Sequence, residues 1–278
     1  MKRILTSLLF FAFLVTASQA QERASTKSKN VSFLKKEFVM SNVNDISHKI
    51  WLYLPPDYET SKKKYPVIYM HDGQNLFDDK TSYVGEWKVD ETLNKIYEET
   101  GKGFIVVGIE HGGKERVNEL TPWKHERHGG GKGKEYIHFI VNTLKPYVDA
   151  NYRTKPKQKH TGLIGASLGG LISYYGGLTY PDVFGKIGAL STSFWFSNEV
   201  FDLTKKKGNQ KNLRMYLLVG GKEGGSMVSD MFKAEKMLVE SGFYKKNLTS
   251  KLNKKAEHNE AFWSSEFEAV VKWLYEIK

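Results

Sequence analysis

No cysteine occurs anywhere in the 278 residues. That excludes a disulfide framework, a thiolate nucleophile, a cysteine-bound zinc and lipid attachment through sulfur. Stability must therefore come from packing. Past the first twenty residues no apolar run is long enough to cross a bilayer, no internal repeat is visible, and no linker divides the chain. The formal net charge is +11, but the excess is lysine scattered in short runs such as Lys62 to Lys64 and Lys205 to Lys207. Without an aromatic-interleaved basic stripe this reads as a solvated surface, and no nucleic-acid partner is expected.

Two motif-like stretches also fall short. "HERH" at 125–128 lacks the H-E-x-x-H spacing, and "HGGGKGK" lacks the Ser or Thr that follows the lysine of a phosphate-binding loop. His111, His125 and His128 would share a cation only if their long loop folded them together. The reading adopted is a site with no metal and no cofactor.

What is present begins with "MKRILTSLLFFAFLVTASQA". Lys2 and Arg3 precede an apolar core, and Ser18 and Ala20 stand where a signal peptidase reads small residues. Residues 1–20 are expected to be a signal peptide, so the protein is expected to be exported to a periplasmic or extracellular space. The polar stretch 21–30 reads as a disordered leader, and 31–278 as one domain.

Apolar runs at Ile50 to Leu54, Pro66 to Met70, Phe104 to Ile109, Leu163 to Ile164, Ile187 to Leu190 and Met215 to Val219 read as strands covered on both faces. Helical spacing lies between and after them. Tyr136 to Val148 marks one helix, with Pro146 a possible kink. Met227, Met231, Ala234 and Leu238 mark another. Trp263, Phe267, Val270, Leu274 and Ile277 mark the last, with Asn259 able to cap it. Alternation of the two predicts an α/β fold with a mostly parallel sheet and helices on both faces. Phe33 to Met40 and His48 to Leu54 predict an antiparallel hairpin at its edge. The segment from His111 to Tyr136, rich in Gly, Lys and His, is a long connection that is either a lid or disordered.

Gly165-Ala166-Ser167-Leu168-Gly169 matches G-x-S-x-G. Here it follows a predicted strand and opens a predicted helix, the context of a nucleophile elbow. A serine hydroxyl needs a base to take its proton. His258 follows the last predicted strand and precedes the final helix, whereas His48 and His138 fall inside elements and His160 lies at the wrong end of the elbow strand. The acid between them in sequence is Glu223, at the end of "MYLLVGG", with Asp230 in reserve a turn inside the next helix. Oxyanion donors are expected from the backbone N–H of Leu168 and of Gln74, the latter aimed by a turn at Gly73. Asn75, Trp123 and Trp195 are candidates for substrate contact.

Taken in order, "YMHDGQNLFD", "IEHGG" with "RVNEL", "YRT", "GASLGG", "YPDVFGKIGALSTSFWF", "VGGKE" and "EHNEAFW" resemble the esterase D-like branch of the α/β-hydrolases. Feruloyl, acetyl-xylan and siderophore esterases and mycolyltransferases belong to that branch. The resemblance runs from about Ile50 to the C-terminus and implies an α/β-hydrolase fold for the domain at 31–278, with Ser167, Glu223 and His258 as the triad and Gln74 and Leu168 as oxyanion amides. It also implies Trp195 near the substrate. His111 stands where the family often has Asn, and the Lys/Gly insertions at 129–134 set the pocket apart. The expected activity is hydrolysis of carbohydrate-linked, phenolic or siderophore esters. An acyltransferase with the same triad and a non-catalytic carbohydrate-binding descendant are the alternatives.

Overall fold

The computed structural model describes residues 23–278 apart from 42 and 44, so the expected signal peptide lies outside the described residues. Among the described residues the chain forms one eight-stranded sheet. Its strands are β1 (Val31–Phe33), β2 (Ile50–Tyr53), β3 (Val67–His71), β4 (Ile105–Ile109), β5 (Thr161–Ala166), β6 (Lys186–Leu190), β7 (Arg214–Gly220) and β8 (Leu248–Asn253). They stand in the order β1-β2-β4-β3-β5-β6-β7-β8. β1 pairs antiparallel with β2, in register Val31 to Tyr53, and β2 antiparallel with β4. From β4 onward every pairing is parallel. This is the mostly parallel α/β sheet with an antiparallel edge hairpin that the hydrophobic runs predict. The hairpin continues beyond the sheet as a separate two-stranded ladder of Phe38–Val39 with Ser47–His48.

The strands β2 to β6 are buried along their whole length, so both faces need covers. On one face lie α1 (Val89–Thr100) and α8 (Glu260–Tyr275), which contribute Leu93, Ile96, Phe262, Phe267, Val270 and Leu274 to one core cluster. The other face is covered by the helical segment 133–151, with α3 (Gly133–Phe139) and α4 (Lys145–Asn151) at its ends, by α5 (Leu168–Thr179), by α6 (Glu199–Lys207) and by α7 (Met227–Glu240). In α7 the buried residues are Met227, Met231, Ala234 and Leu238, the stripe read from the sequence. Asn259 caps α8 by accepting the Phe262 N–H at 2.9 Å. In the 133–151 segment, Pro146 sits at the start of the last helical piece, just after a π turn over Ile140–Leu144. A proline has no N–H for the preceding turn, and the wider turn absorbs that loss.

Two expectations change. Residues 23–30, expected as a disordered leader, lie along the domain: Ser25 Oγ donates to Asp78 at 2.6 Å, and the Ser28 N–H donates to Asp90 at 2.7 Å. Polar composition left out these anchors because they are carboxylates some fifty to sixty residues away. β8 was also missing from the strands read as apolar runs. It is an edge strand, half-buried at every position and bonded only to β7, so it carries no apolar run.

Candidate functional site

The carboxyl ends of the parallel strands gather the candidate residues. β5 ends at Ala166, and Ser167 turns the chain into α5 at φ 59°, ψ −121°. A non-glycine residue held there is strained by roughly 1–3 kcal/mol. The strain is held in place by neighbours: the Ser167 N–H donates to Leu190 O at 3.0 Å, and its carbonyl accepts the N–H groups of Ser193 and Leu171 at 3.1 Å. The turn also needs room at Gly165, where a Cβ would come within 2.6 Å of the Gly169 backbone and 2.9 Å of the His71 ring. Gly169 itself is less constrained, its nearest neighbour being 3.4 Å from such a Cβ. Gly170 packs against β6, where a Cβ would stand 2.7 Å from Leu190 O.

His258, on the loop between β8 and α8, hydrogen-bonds through Nδ1 to Glu223 Oε2 at 2.9 Å. The Glu223 side chain is 0% exposed and that of His258 is 35% exposed. Glu223 follows β7 directly, and its other oxygen accepts the Gly220 N–H at 2.6 Å and the Ser191 hydroxyl at 2.5 Å. Asp230, the reserve acid, instead accepts from Ser226 Oγ at 2.6 Å on the surface of α7. Ser191 in turn accepts the Trp263 indole N–H at 2.8 Å, and the Trp263 ring meets His258 edge-on, with centroids 5.0 Å apart. Ser191 and Trp263 were missed as site residues, since a serine after a strand and an aromatic in a helix stripe carry no signal of their own. So was Ser193, whose Oγ is 3.3 Å from Ser167 Oγ.

Ser167 and His258 line two cavities at once. The first, about 560 Å³, is completed by Ser193, Trp195, Glu223, Gly224, Gly225, Ser226 and Met227. The second, about 400 Å³, is bounded among others by Asn75, Trp87, His111, Arg116, Glu260 and Trp263. At its floor His71 is buried, hydrogen-bonded through Nδ1 to Tyr136 Oη at 2.8 Å, and burial pulls its pKa down to about 4. Asp72, next along, has φ 55° and is gripped by Arg116 through Nε at 2.6 Å and through the terminal nitrogen at 2.8 Å. Burial alone would raise the Asp72 carboxyl, but the guanidinium holds it below the usual range. This clamp and the bond from Thr81 Oγ1 to the Gln74 carbonyl, 2.7 Å, fix the turn that carries Gly73 and Gln74.

Of the residues expected to contact substrate, Trp195 lies in the first cavity and Asn75 in the second. Trp123 lines neither; it packs edge-on against Tyr175 of α5 at 5.7 Å, because the loop turns that face toward the core. The segment from His111 to Tyr136 is structured. It contains the short helix α2 (Arg116–Leu120) and a two-residue ladder of Lys124–His125 with Gly129–Gly130. The His125 and His128 rings lie tilted against each other with centroids 4.7 Å apart and meet Trp195 edge-on, whereas His111 lines the second cavity. Among the described residues no group that could hold a metal includes these histidines.

The family model described as "Putative esterase" matches residues 41–274. The chain belongs to this esterase family. It is a carboxylic ester hydrolase by that membership. The uncharacterized protein YbbA of Bacillus subtilis is 30% identical over 242 residues, covering 82% of this chain and 93% of the relative. In fold, the esterase resembles the BES protein from Bacillus cereus, with a TM-score of 0.70 at 20% identity over 91% of this chain and 97% of that one. It also resembles the enterobactin esterase FES from Shigella flexneri, with a TM-score of 0.72 at 16% identity over 90% of this chain and 60% of that one. Among the described residues no helix of the esterase is long and apolar enough to cross a membrane.

Proposed function

We propose that this chain is an exported serine esterase working through Ser167, His258 and Glu223. The observation that carries the reading is a serine at positive φ on a strand-to-helix turn that shares two cavities with a histidine bonded to a buried carboxylate. With Nδ1 of His258 engaged by Glu223, Nε2 is the atom left to take the Ser167 proton. Ser167 Oγ then attacks the ester carbonyl carbon, and the carbonyl electrons move to oxygen. The N–H groups of Leu168, at the start of α5, and of Gln74 stabilise that oxyanion, helped by the positive end of the helix. Collapse expels the alcohol, which takes the proton from His258. Water, deprotonated by the same imidazole, cleaves the acyl-enzyme and restores Ser167.

The substrate class proposed is an ester of a phenolic, siderophore or carbohydrate-linked kind. Support comes from the indole of Trp195, 47% exposed at the mouth of the first cavity, and from a fold neighbour that is an enterobactin esterase. Replacing Ser167 by Ala should lower turnover of short-chain p-nitrophenyl esters by about 10⁴ or more with folding kept. A Ser167→Ala enzyme with wild-type turnover would sink the triad. A screen of feruloyl, acetyl-sugar and trilactone esters tests the substrate class, and a preference for long-chain lipid esters would count against it.

A further inference from the structure

Three carboxylates converge beneath the segment 23–30: Glu86, Asp90 and Glu91 each bring one oxygen to a point where all three lie within 4.8 Å of one another. Asp90 is 0% exposed and Glu86 8%, and Glu91 is half-buried. Among the described residues, one oxygen of each, namely Glu86 Oε1, Asp90 Oδ1 and Glu91 Oε2, is shut off from water and accepts from no N–H or hydroxyl donor. The second oxygens of Glu86 and Asp90 accept from Thr26 Oγ1 at 3.0 Å and from the Ser28 N–H at 2.7 Å. Among the described residues no lysine, arginine or histidine forms an ion pair with any of the three.

Burying one unpaired carboxylate oxygen is already unfavourable, and three facing one another compound it. Asp90 and Glu91 stand in the first turn of α1, where the helix favours negative charge. That accounts for two acidic residues, not for three dry oxygens aimed at one place. A cation at their centre accounts for all three.

We propose that Glu86, Asp90 and Glu91 bind one hard divalent cation of the Ca²⁺ class, which ties residues 23–30 to the start of α1. All three ligands are carboxylate oxygens, the donors of hard cations, and the flexible shell of six to eight oxygens at about 2.3–2.6 Å around Ca²⁺ accommodates side chains fixed by the fold more readily than the near-octahedral shell of Mg²⁺ at about 2.0–2.1 Å. The remaining positions of the Ca²⁺ shell fall to water or backbone carbonyls. Trp87, between two of the ligands in sequence, lines the second cavity, so the ion would also brace that wall.

The test uses the full mature protein stripped with EDTA and dialysed. Millimolar CaCl₂ is expected to raise its Tm by about 5 °C or more, with one Ca²⁺ bound per chain in titration calorimetry and a weaker response to MgCl₂. Glu86→Gln and Glu91→Gln, both outside the proposed catalytic set, are expected to fold and to lose most of that rise. Asp90→Asn, at the most buried ligand, is a harsher variant, and the two glutamine variants keep the test decisive if it fails to fold. Absence of both calcium binding and a Tm change in the wild type would overturn the proposal. So would glutamine variants that keep the full response, or an MgCl₂ response as large as that to CaCl₂.

Discussion

Ser191 braces the proposed catalytic carboxylate without lining either cavity, and removing its hydroxyl measures how much that support contributes. The side chain is 0% exposed, donates to Glu223 Oε1 at 2.5 Å and accepts from Trp263 Nε1 at 2.8 Å. Ser191→Ala leaves Glu223 with the Gly220 N–H and His258 alone. A hydrogen bond to a charged group contributes about 1.5–3 kcal/mol. If most of that is expressed while His258 carries its proton, kcat should fall about 10- to 100-fold. The KM should stay within about twofold, since Ser191 lines neither cavity. The buried indole N–H also loses its acceptor, for about 1–3 kcal/mol of stability and a Tm lower by about 2–10 °C. The assay is kcat and KM on p-nitrophenyl acetate beside thermal unfolding by circular dichroism, repeated in a Glu223→Gln background. There the Ser191→Ala change should lower kcat less than about twofold, because its route to His258 is already broken. A Ser191→Ala enzyme with wild-type kcat and a lowered Tm would refute the positioning role. Fully multiplicative losses in the double variant would refute the route through Glu223.

The elbow glycines should separate cleanly: Gly165→Ala must push against backbone 2.6 Å away and should lower stability by about 3 kcal/mol or more. Gly169→Ala, with its nearest neighbour at 3.4 Å, should fold with a Tm within a few degrees of wild type, both read by thermal melts. His71 is kept neutral by burial, with a pKa near 4, while an unfolded histidine titrates near about 6.5. The unfolded state therefore binds more protons between those values, so stability should be full above about pH 6.5 and fall by up to about 3 kcal/mol toward pH 4. In urea titrations across that range, His71→Gln should flatten the slope, and an unchanged slope would remove His71 as its source. Trp195→Ala should raise KM for feruloyl esters severalfold with Tm unchanged, whereas Trp123→Ala should lower Tm with KM unchanged. The opposite pattern would reverse their assignment.

How much of this was legible in the sequence follows from what each feature depends on. The elbow, the buried strands and the stripes of α7 and α8 leave local marks, because a turn needs its glycines within a few residues and a helix face repeats every three or four. His258 and Glu223 could be ordered along the chain from the same marks. Their contact joins residues 35 apart, and only the packing of the β7 and β8 loops brings it to 2.9 Å and leaves Asp230 on the surface.

The sequence by itself determined the buried strands of the sheet but not its edge strand β8, the turn that carries Ser167, and the candidates His258 and Glu223, since local burial patterns and turn chemistry decide these. Tertiary structure alone decided that Ser191 and Trp263, 72 residues apart, hold Glu223 in place, that Trp123 turns inward while Trp195 stays at the cavity, and that residues 23–30 fold back onto Asp78, Glu86 and Asp90. Each of these is a side-chain contact between segments distant along the chain, and no local pattern records which distant partner a buried hydroxyl or carboxylate will find.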